Sequence, residues 1–177
     1  AITSAETKLE TLTRTDGGTL HIGVSTTLCK YLLLPYLSAF IREHPQINIR
    51  IRCQSSNETL KMLADDAIDI GLVGMPEHKT GFIYENLVEI EDIFVATSTY
   101  MSHLPQDMTS TREILEASTL MLLDKNNMTR QYIDDYLAKN QIQTKDYIEI
   151  SNMDLLIEFA KIGVGVACVI KNFVRSE

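Results

Sequence analysis

Four short polar runs carry the groups best able to do chemistry in this sequence. They are Ser25-Thr26-Thr27, Ser55-Ser56-Asn57, Asn126-Asn127-Met128-Thr129 and Ser151-Asn152. Each follows an apolar run and precedes helical spacing. They offer hydroxyl and amide groups and no carboxylate, so their chemistry is neutral hydrogen bonding. A helix start adds free N–H groups and the positive end of a dipole, which attract anions. Open α/β sheets bind ligands outside the carboxyl ends of their strands, where such turns lie. The set suits a small polar ligand, anions included. The same residue types are favoured as helix caps anywhere, and the types alone leave both readings open. Arg130 follows the third run. It is placed either to grip an acidic ligand group with its planar fork or to lie on the surface of the first helical turn. Lys30, Arg50, Arg52 and Lys125 read as solvated.

Catalytic constellations are weak. There is no GxSxG elbow, no phosphate loop, and no convincing Ser, His and Asp set. Cys29 follows the first polar run, where a helix N-terminus favours a thiolate, but it reads better as a small packing residue. Asp65, Asp66 and Asp69 have the DDxxD spacing of some magnesium sites. Those sites need one continuous helix, and Asp69 is expected to open a strand, so a solvated helix end is the better reading. Gly163-Val164-Gly165 lacks a third glycine and follows a helix, so it is a helix stop rather than a dinucleotide fingerprint. His21, His44, His78 and His103 show no ligand spacing. Cys29, Cys53 and Cys168 are odd in number and form no CxxC pair, which argues against a disulfide framework or zinc site and fits a reducing compartment. No metal or cofactor is expected.

The elements that must position these residues alternate between strand and helix. Strands are expected at 19–24, 47–53, 69–73, 82–87, 92–96, 119–123, 147–150 and 164–170. The clearest is 47–53, where Ile47, Ile49, Ile51 and Cys53 alternate with Asn48, Arg50 and Arg52. A helix over 28–44 carries Pro35, which should kink it or begin its main part. Ser55 with Glu58, and Ser110 with Glu113, have capping-box spacing. Tyr132, Ile133, Tyr136 and Leu137 mark one side of a helix over 129–139, and Leu155, Leu156, Phe159 and Ile162 mark another, stopped by Gly163. Ile2, Ala5, Leu9 and Leu12 have heptad spacing before Asp16-Gly17-Gly18 breaks the helix. That segment is either the tail of a longer helix or a short helix packed on its own domain. Repeated β-α units imply a largely parallel sheet covered by helices.

Composition sets the outer bounds. At 177 residues the chain is about one domain or two small lobes. Hydrophobic residues make up 45%, enough for a core and too many for a disordered chain. The net charge of −8 argues against a nucleic-acid-binding surface within this chain. No apolar run reaches the roughly 18 residues of a membrane span, and no signal segment is visible.

The ordered segments resemble the effector-binding, or regulatory, domain of LysR-type transcriptional regulators. The resemblance rests on residues 18–24, on Leu33, Leu34, Pro35, Tyr36 and Leu37 with Phe40, and on His44-Pro45 before the 47–51 alternation. It continues through Leu60, Leu63, Asp69-Ile70-Gly71-Leu72 and Gly163-Val164-Gly165-Val166, and so covers nearly the whole chain from residue 17. It implies an α/β fold of two Rossmann-like lobes, like periplasmic solute-binding proteins, with a ligand cleft between them. In that scheme 1–16 is the end of a linker helix, 17–91 is lobe I and 92–165 is lobe II. Residues 166–177 are then a truncated crossing strand returning towards lobe I. The implied ligand contacts are Ser25, Thr26, Thr27, Ser55, Ser56, the region of Met75, and Thr129 with Arg130. The polar turns add Asn127 and Ser151.

The resemblance implies that a small polar or anionic metabolite is sensed without turnover, in a cytoplasmic homodimer or homotetramer. DNA would be contacted only through a winged helix-turn-helix absent from this chain, and no membrane is involved. A solute-binding protein feeding a transporter has the same fold and is the alternative; it fits poorly with the missing signal segment. A small α/β enzyme is a third reading, without a convincing nucleophile or acid–base pair. Some relatives sense peroxide through two nearby cysteines in the second lobe. Here Cys29 and Cys53 fall in the first, so redox sensing is not expected.

Overall fold

A strand with isoleucine at every second position has one dry face, and it needs neighbours on which to lay that face. In the computed structural model, which describes residues 4–14, 17–76, 78, 79 and 81–174, those neighbours are in place. The chain divides into two compact units, Ala1–Leu87 and Val88–Glu177.

Unit 1 runs α1 (Ser4–Arg14), β1 (Gly18–Val24), α2 (Thr26–Leu28), a π-helical turn (Cys29–Leu33), α3 (Leu34–Glu43), β2 (Ile47–Cys53), α4 (Ser56–Ala64) and β3 (Ile70–Leu72). Its sheet is fully parallel in the order β2-β1-β3. Leu20, Ile22 and Ile47 are buried on one face, with Leu33, Phe40, Ile49, Ile51 and Ile70 packed around them. Leu9 and Leu12 of α1 join that cluster, so two of the heptad-spaced residues serve the unit's own core. Ile2, Asp16 and the Ala5 side chain lie outside the described residues. The π-helical turn has a covalent cause. Pro35 has no N–H to continue an ordinary ladder, and the Leu34 N–H reaches back five residues to the Cys29 carbonyl before α3 starts.

On the opposite face α4 lies unusually close. A Cβ on Gly71 would sit 2.8 Å from both Thr59 Cγ2 and Leu63 Cδ1. Thr59 is wholly buried, and its hydroxyl accepts a hydrogen bond from Gln54 Nε2 at 3.1 Å.

Unit 2 runs β4 (Asp92–Val95), α5 (Ser98–Ser102), α6 (Thr111–Ala117), β5 (Thr119–Leu123), α7 (Met128–Lys139), β6 (Asp146–Ile150), α8 (Met153–Lys161), β7 (Val166–Ile170) and α9 (Lys171–Val174). The sheet order is β4-β7-β5-β6, with β4 antiparallel to β7 and the other pairs parallel. Leu115, Leu120, Leu122, Ile133, Leu137, Ile142, Val166 and Cys168 form its core. Ser110 and Glu113 make the reciprocal capping box that their spacing predicts. Gly165 is required by contact: a Cβ there would collide with the Thr119 carbonyl oxygen.

Three sequence expectations change. Residues 82–87 form no strand. Their composition favours an extended chain, but a strand also needs a backbone partner, and Ile83 and Leu87 stay exposed. Two short helices, α5 and α9, were not expected; α5 is capped by Thr97, whose hydroxyl accepts the Tyr100 N–H. The two helix faces of unit 2 divide more sharply than their spacing predicts. Ile133, Leu137, Leu156 and Ile157 are buried, while Tyr132, Leu155 and Ile162 are exposed.

Candidate functional site

In unit 1 the carboxyl ends of three parallel strands bring the first-half candidates to one edge. Ser25 follows β1 and caps α2, its Oγ accepting the Leu28 N–H at 3.2 Å. Ser55 follows β2 and caps α4, its Oγ accepting the Glu58 N–H at 3.2 Å. The two turns are tied together, because Gln54 N donates to the Val24 carbonyl at 3.1 Å. Ser56 is buried and its Oγ accepts the Gly74 N–H at 3.3 Å. That bond fastens the segment after β3, and with it Met75, to the same edge. Thr26 and Met75 are exposed and Thr27 is half-buried.

Unit 2 has a second such edge. Asn127 caps α7, its Oδ1 accepting the Thr129 N–H at 2.9 Å. The preceding turn is closed by Asp124, whose carboxylate accepts the Asn126 N–H at 3.0 Å. Asn152 rather than Ser151 caps α8, accepting the Leu155 N–H at 3.1 Å. Ser151 is exposed.

The helix-cap reading therefore holds at all four runs, and it does not displace the ligand reading. A capping serine uses an oxygen lone pair and keeps its O–H to donate; a capping asparagine keeps its NH2. Each edge thus presents neutral donors beside helix starts, an arrangement matched to an acceptor-rich group such as a carboxylate.

Arg130 is placed differently from its neighbours. It is buried, and its Nε donates to Asp134 Oδ1 at 2.9 Å. One of its terminal nitrogens donates to the Leu123 carbonyl at 2.8 Å and reaches Glu149 at 3.4 Å. Burial works against the charge, but bonds to Asp134 and Tyr147 outweigh it and hold the guanidinium above its ordinary pKa. Arg130 clamps the end of β5 to the start of α7, and so fixes the Asn127–Thr129 turn. Its spacing in the sequence gave no sign of these partners.

The acidic run ends as expected. Asp65 closes α4, and Asp66 is exposed in the left-handed region at φ 54. Asp69 lies off the helix, accepting the His21 N–H at 2.8 Å and pairing with Lys8 at 3.5 Å. Its carboxyl is held below its usual range: burial opposes this, and the bonds from His21 and the Lys8 charge prevail. Among the described residues no group of three or more His, Cys, Asp or Glu is arranged to hold a metal. Nor is any helix of them long and apolar enough to cross a membrane.

Two α/β units, one with a fully parallel sheet and one with a mixed sheet, make up a fold of the periplasmic-binding-protein type. Residues 13–177 match the LysR substrate binding domain family, and the chain belongs to that family. It is the effector-binding domain of a LysR-type regulator. It is 24% identical over 178 residues to the uncharacterized HTH-type transcriptional regulator YeiE of Escherichia coli (strain K12), covering 100% of this chain and 59% of that one. It is 27% identical over 168 residues to a probable RuBisCO transcriptional regulator of Thalassiosira pseudonana, covering 92% and 55%. The chain therefore spans less than two thirds of the length of these curated relatives. Among solved structures, the Synechocystis PCC6803 CcmR regulatory domain in complex with 2-PG has the same fold. It superposes with a TM-score of 0.77 at 16% identity, covering 91% of this chain and 76% of that one.

Proposed function

We propose that this domain binds a small, acceptor-rich metabolite, a carboxylate or related oxyanion, at the polar strand-end edge of unit 1, unit 2 carrying an edge of the same chemistry, and releases it unchanged. The observation that carries this reading is the unit 1 edge. There Ser25, Thr26, Thr27 and Ser55 stand at the ends of adjacent strands, and Ser56 holds the Met75 segment beside them. Asn127, Thr129 and Ser151 supply the equivalent donors in unit 2. Ser56 and Arg130 act as positioning residues, since both are buried and engaged internally. The ligand named for the Synechocystis CcmR regulatory domain, 2-PG, supports the chemical class.

In the whole regulator, ligand binding shifts the balance between two arrangements of the protein, and a separate domain reads DNA in the cytoplasm. A homodimer or homotetramer is supported by an apolar stripe on α8, where Leu155, Phe159 and Ile162 follow helical spacing yet are 51%, 37% and 73% exposed.

The test is a thermal-shift panel of small mono- and dicarboxylates, including phosphorylated ones, followed by calorimetry. Saturable stabilisation is expected, because a ligand that binds only the folded state raises its stability with concentration. Thr27→Val removes a hydroxyl that caps nothing, and it should weaken binding without lowering the melting temperature. If no member of the panel stabilises the domain, the proposed ligand class is wrong.

A further inference from the structure

Unit 1 also holds two thiols to which effector binding gives no role. Cys53 ends β2 and continues the face of Ile47, Ile49 and Ile51. That face packs against Leu33 and Phe40 of the helical segment after β1. Cys29 opens the π-helical turn of the same segment, its N–H bonded to the Ser25 carbonyl at 2.8 Å. The register sets Val24 opposite Cys53, so one turn of helix beyond Ser25 carries Cys29 back over the end of β2. Cys53 stands beside Cys29, close enough to act on its thiol. Cys53 is exposed and Cys29 half-buried, whereas Cys168 is buried in unit 2. The separation of 29 and 53 in sequence concealed this contact.

We propose that Cys29 and Cys53 form a reversible dithiol–disulfide site whose oxidant is a low-molecular-weight disulfide, RSSR. Cys53 is the accessible member and reacts first. Its thiolate attacks one sulfur of RSSR, a Cys53–SR bond forms, and RS⁻ leaves and takes a proton. Cys29 then loses its proton to solvent and attacks Cys53 Sγ. The Cys53–SR bond breaks, the Cys29–Cys53 bond forms, and the second RS⁻ leaves and is protonated. In sum, two protein thiols and one RSSR become one protein disulfide and two RSH, and excess RSH reverses the reaction. Burial, and next the neighbouring Cys53, push the Cys29 thiol above the ordinary range, so Cys29 serves as the resolving thiol and Cys53 as the one that meets the oxidant. The bond would staple the turn after β1 to the turn after β2.

The test uses the reduced 177-residue chain with glutathione disulfide, read by intact mass and peptide mapping. The expected product is a protein lighter by two hydrogens, with Cys29 and Cys53 in one cross-linked peptide, returned to the starting mass by excess glutathione. Cys29→Ser should stop at the glutathione adduct of Cys53. Cys53→Ser should give no internal disulfide, and Cys168→Ser should behave as the parent. Far-ultraviolet circular dichroism checks that each variant is folded. Accumulation of the adduct in the parent to the same extent as in folded Cys29→Ser would overturn the proposal. So would a Cys29–Cys53 bond that forms with hydrogen peroxide and not with glutathione disulfide.

Discussion

The guanidinium carbon of Arg130 lies 4.8 Å from the centroid of the Tyr147 ring. A flat cation over an aromatic face gains from the ring quadrupole, and here the same group also bonds Asp134 and the Leu123 carbonyl. Lysine carries the charge without the planar fork. Arg130→Lys should therefore lower stability by about 1.5–3 kcal/mol, the scale of hydrogen bonds to charged groups. Urea unfolding measures this, and an unchanged midpoint would show that the clamp is unimportant.

Gly165 leaves no space for a side chain. In Gly165→Ala the new methyl group meets the Thr119 carbonyl oxygen, which belongs to the neighbouring strand. Backbone cannot swing aside as a flexible side-chain end can. Overpacking of this kind costs about 1–3 kcal/mol, read as a lower melting temperature of the second unit. A variant as stable as the parent would mean that β5 and β7 separate freely.

Asp92 sets a dependence on pH. One of its carboxylate oxygens is buried without a hydrogen-bond partner among the described residues, and burial pushes its pKa up to about 6. The unfolded chain releases the same proton near pH 4. Between those values the native state holds more protons than the unfolded one, so this residue makes stability fall as pH rises, with the full penalty above about pH 6. Asp92→Asn should be more stable than the parent at neutral pH and should lose its advantage below about pH 4. Urea midpoints across pH 4–8 decide this; parallel curves for the two proteins would remove Asp92 as the cause.

Leu155, Phe159 and Ile162 make an exposed stripe where a soluble helix usually carries polar residues. If a second copy covers it, Leu155→Glu should leave the domain folded and raise its dissociation constant tenfold or more, a factor equivalent to about 1.4 kcal/mol. Sedimentation equilibrium tests this. An assembly state identical to the parent's would assign the stripe to another role.

Local signals in the sequence were legible where the physics is local. The Ser110 and Glu113 spacing became a capping box, and the alternation from Ile47 became β2 with its register. Ser25, Ser55 and Asn127 were legible as residues that start helices. Long-range partners were not. Arg130 read equally as a ligand-gripping or a first-turn surface arginine, because its partners Glu149 and Tyr147 lie far away in sequence on β6. Cys29 and Cys53 looked unrelated because their meeting depends on the pairing of β1 with β2. Residues 82–87 read as a strand because composition reports a preference for extension and says nothing of a neighbour to bond with.

The antiparallel strand β4 lies along β7, with its start beside the end of β7. It brings the point where the chain enters the second unit beside the point where β7 ends. Asp92 faces Ile170, the Lys171 N–H bonds the Glu91 carbonyl at 2.8 Å, and the two side chains pair at 2.6 Å. Residues 92–170 are thus a loop closed at its neck, a cassette with entrance and exit at one address. Segments with adjoining ends tolerate insertion and permutation. Exchanging 92–170 between relatives would therefore ask the rest of the chain to bridge a single short gap, and Glu91 with Lys171 is the clasp that any such graft would have to keep.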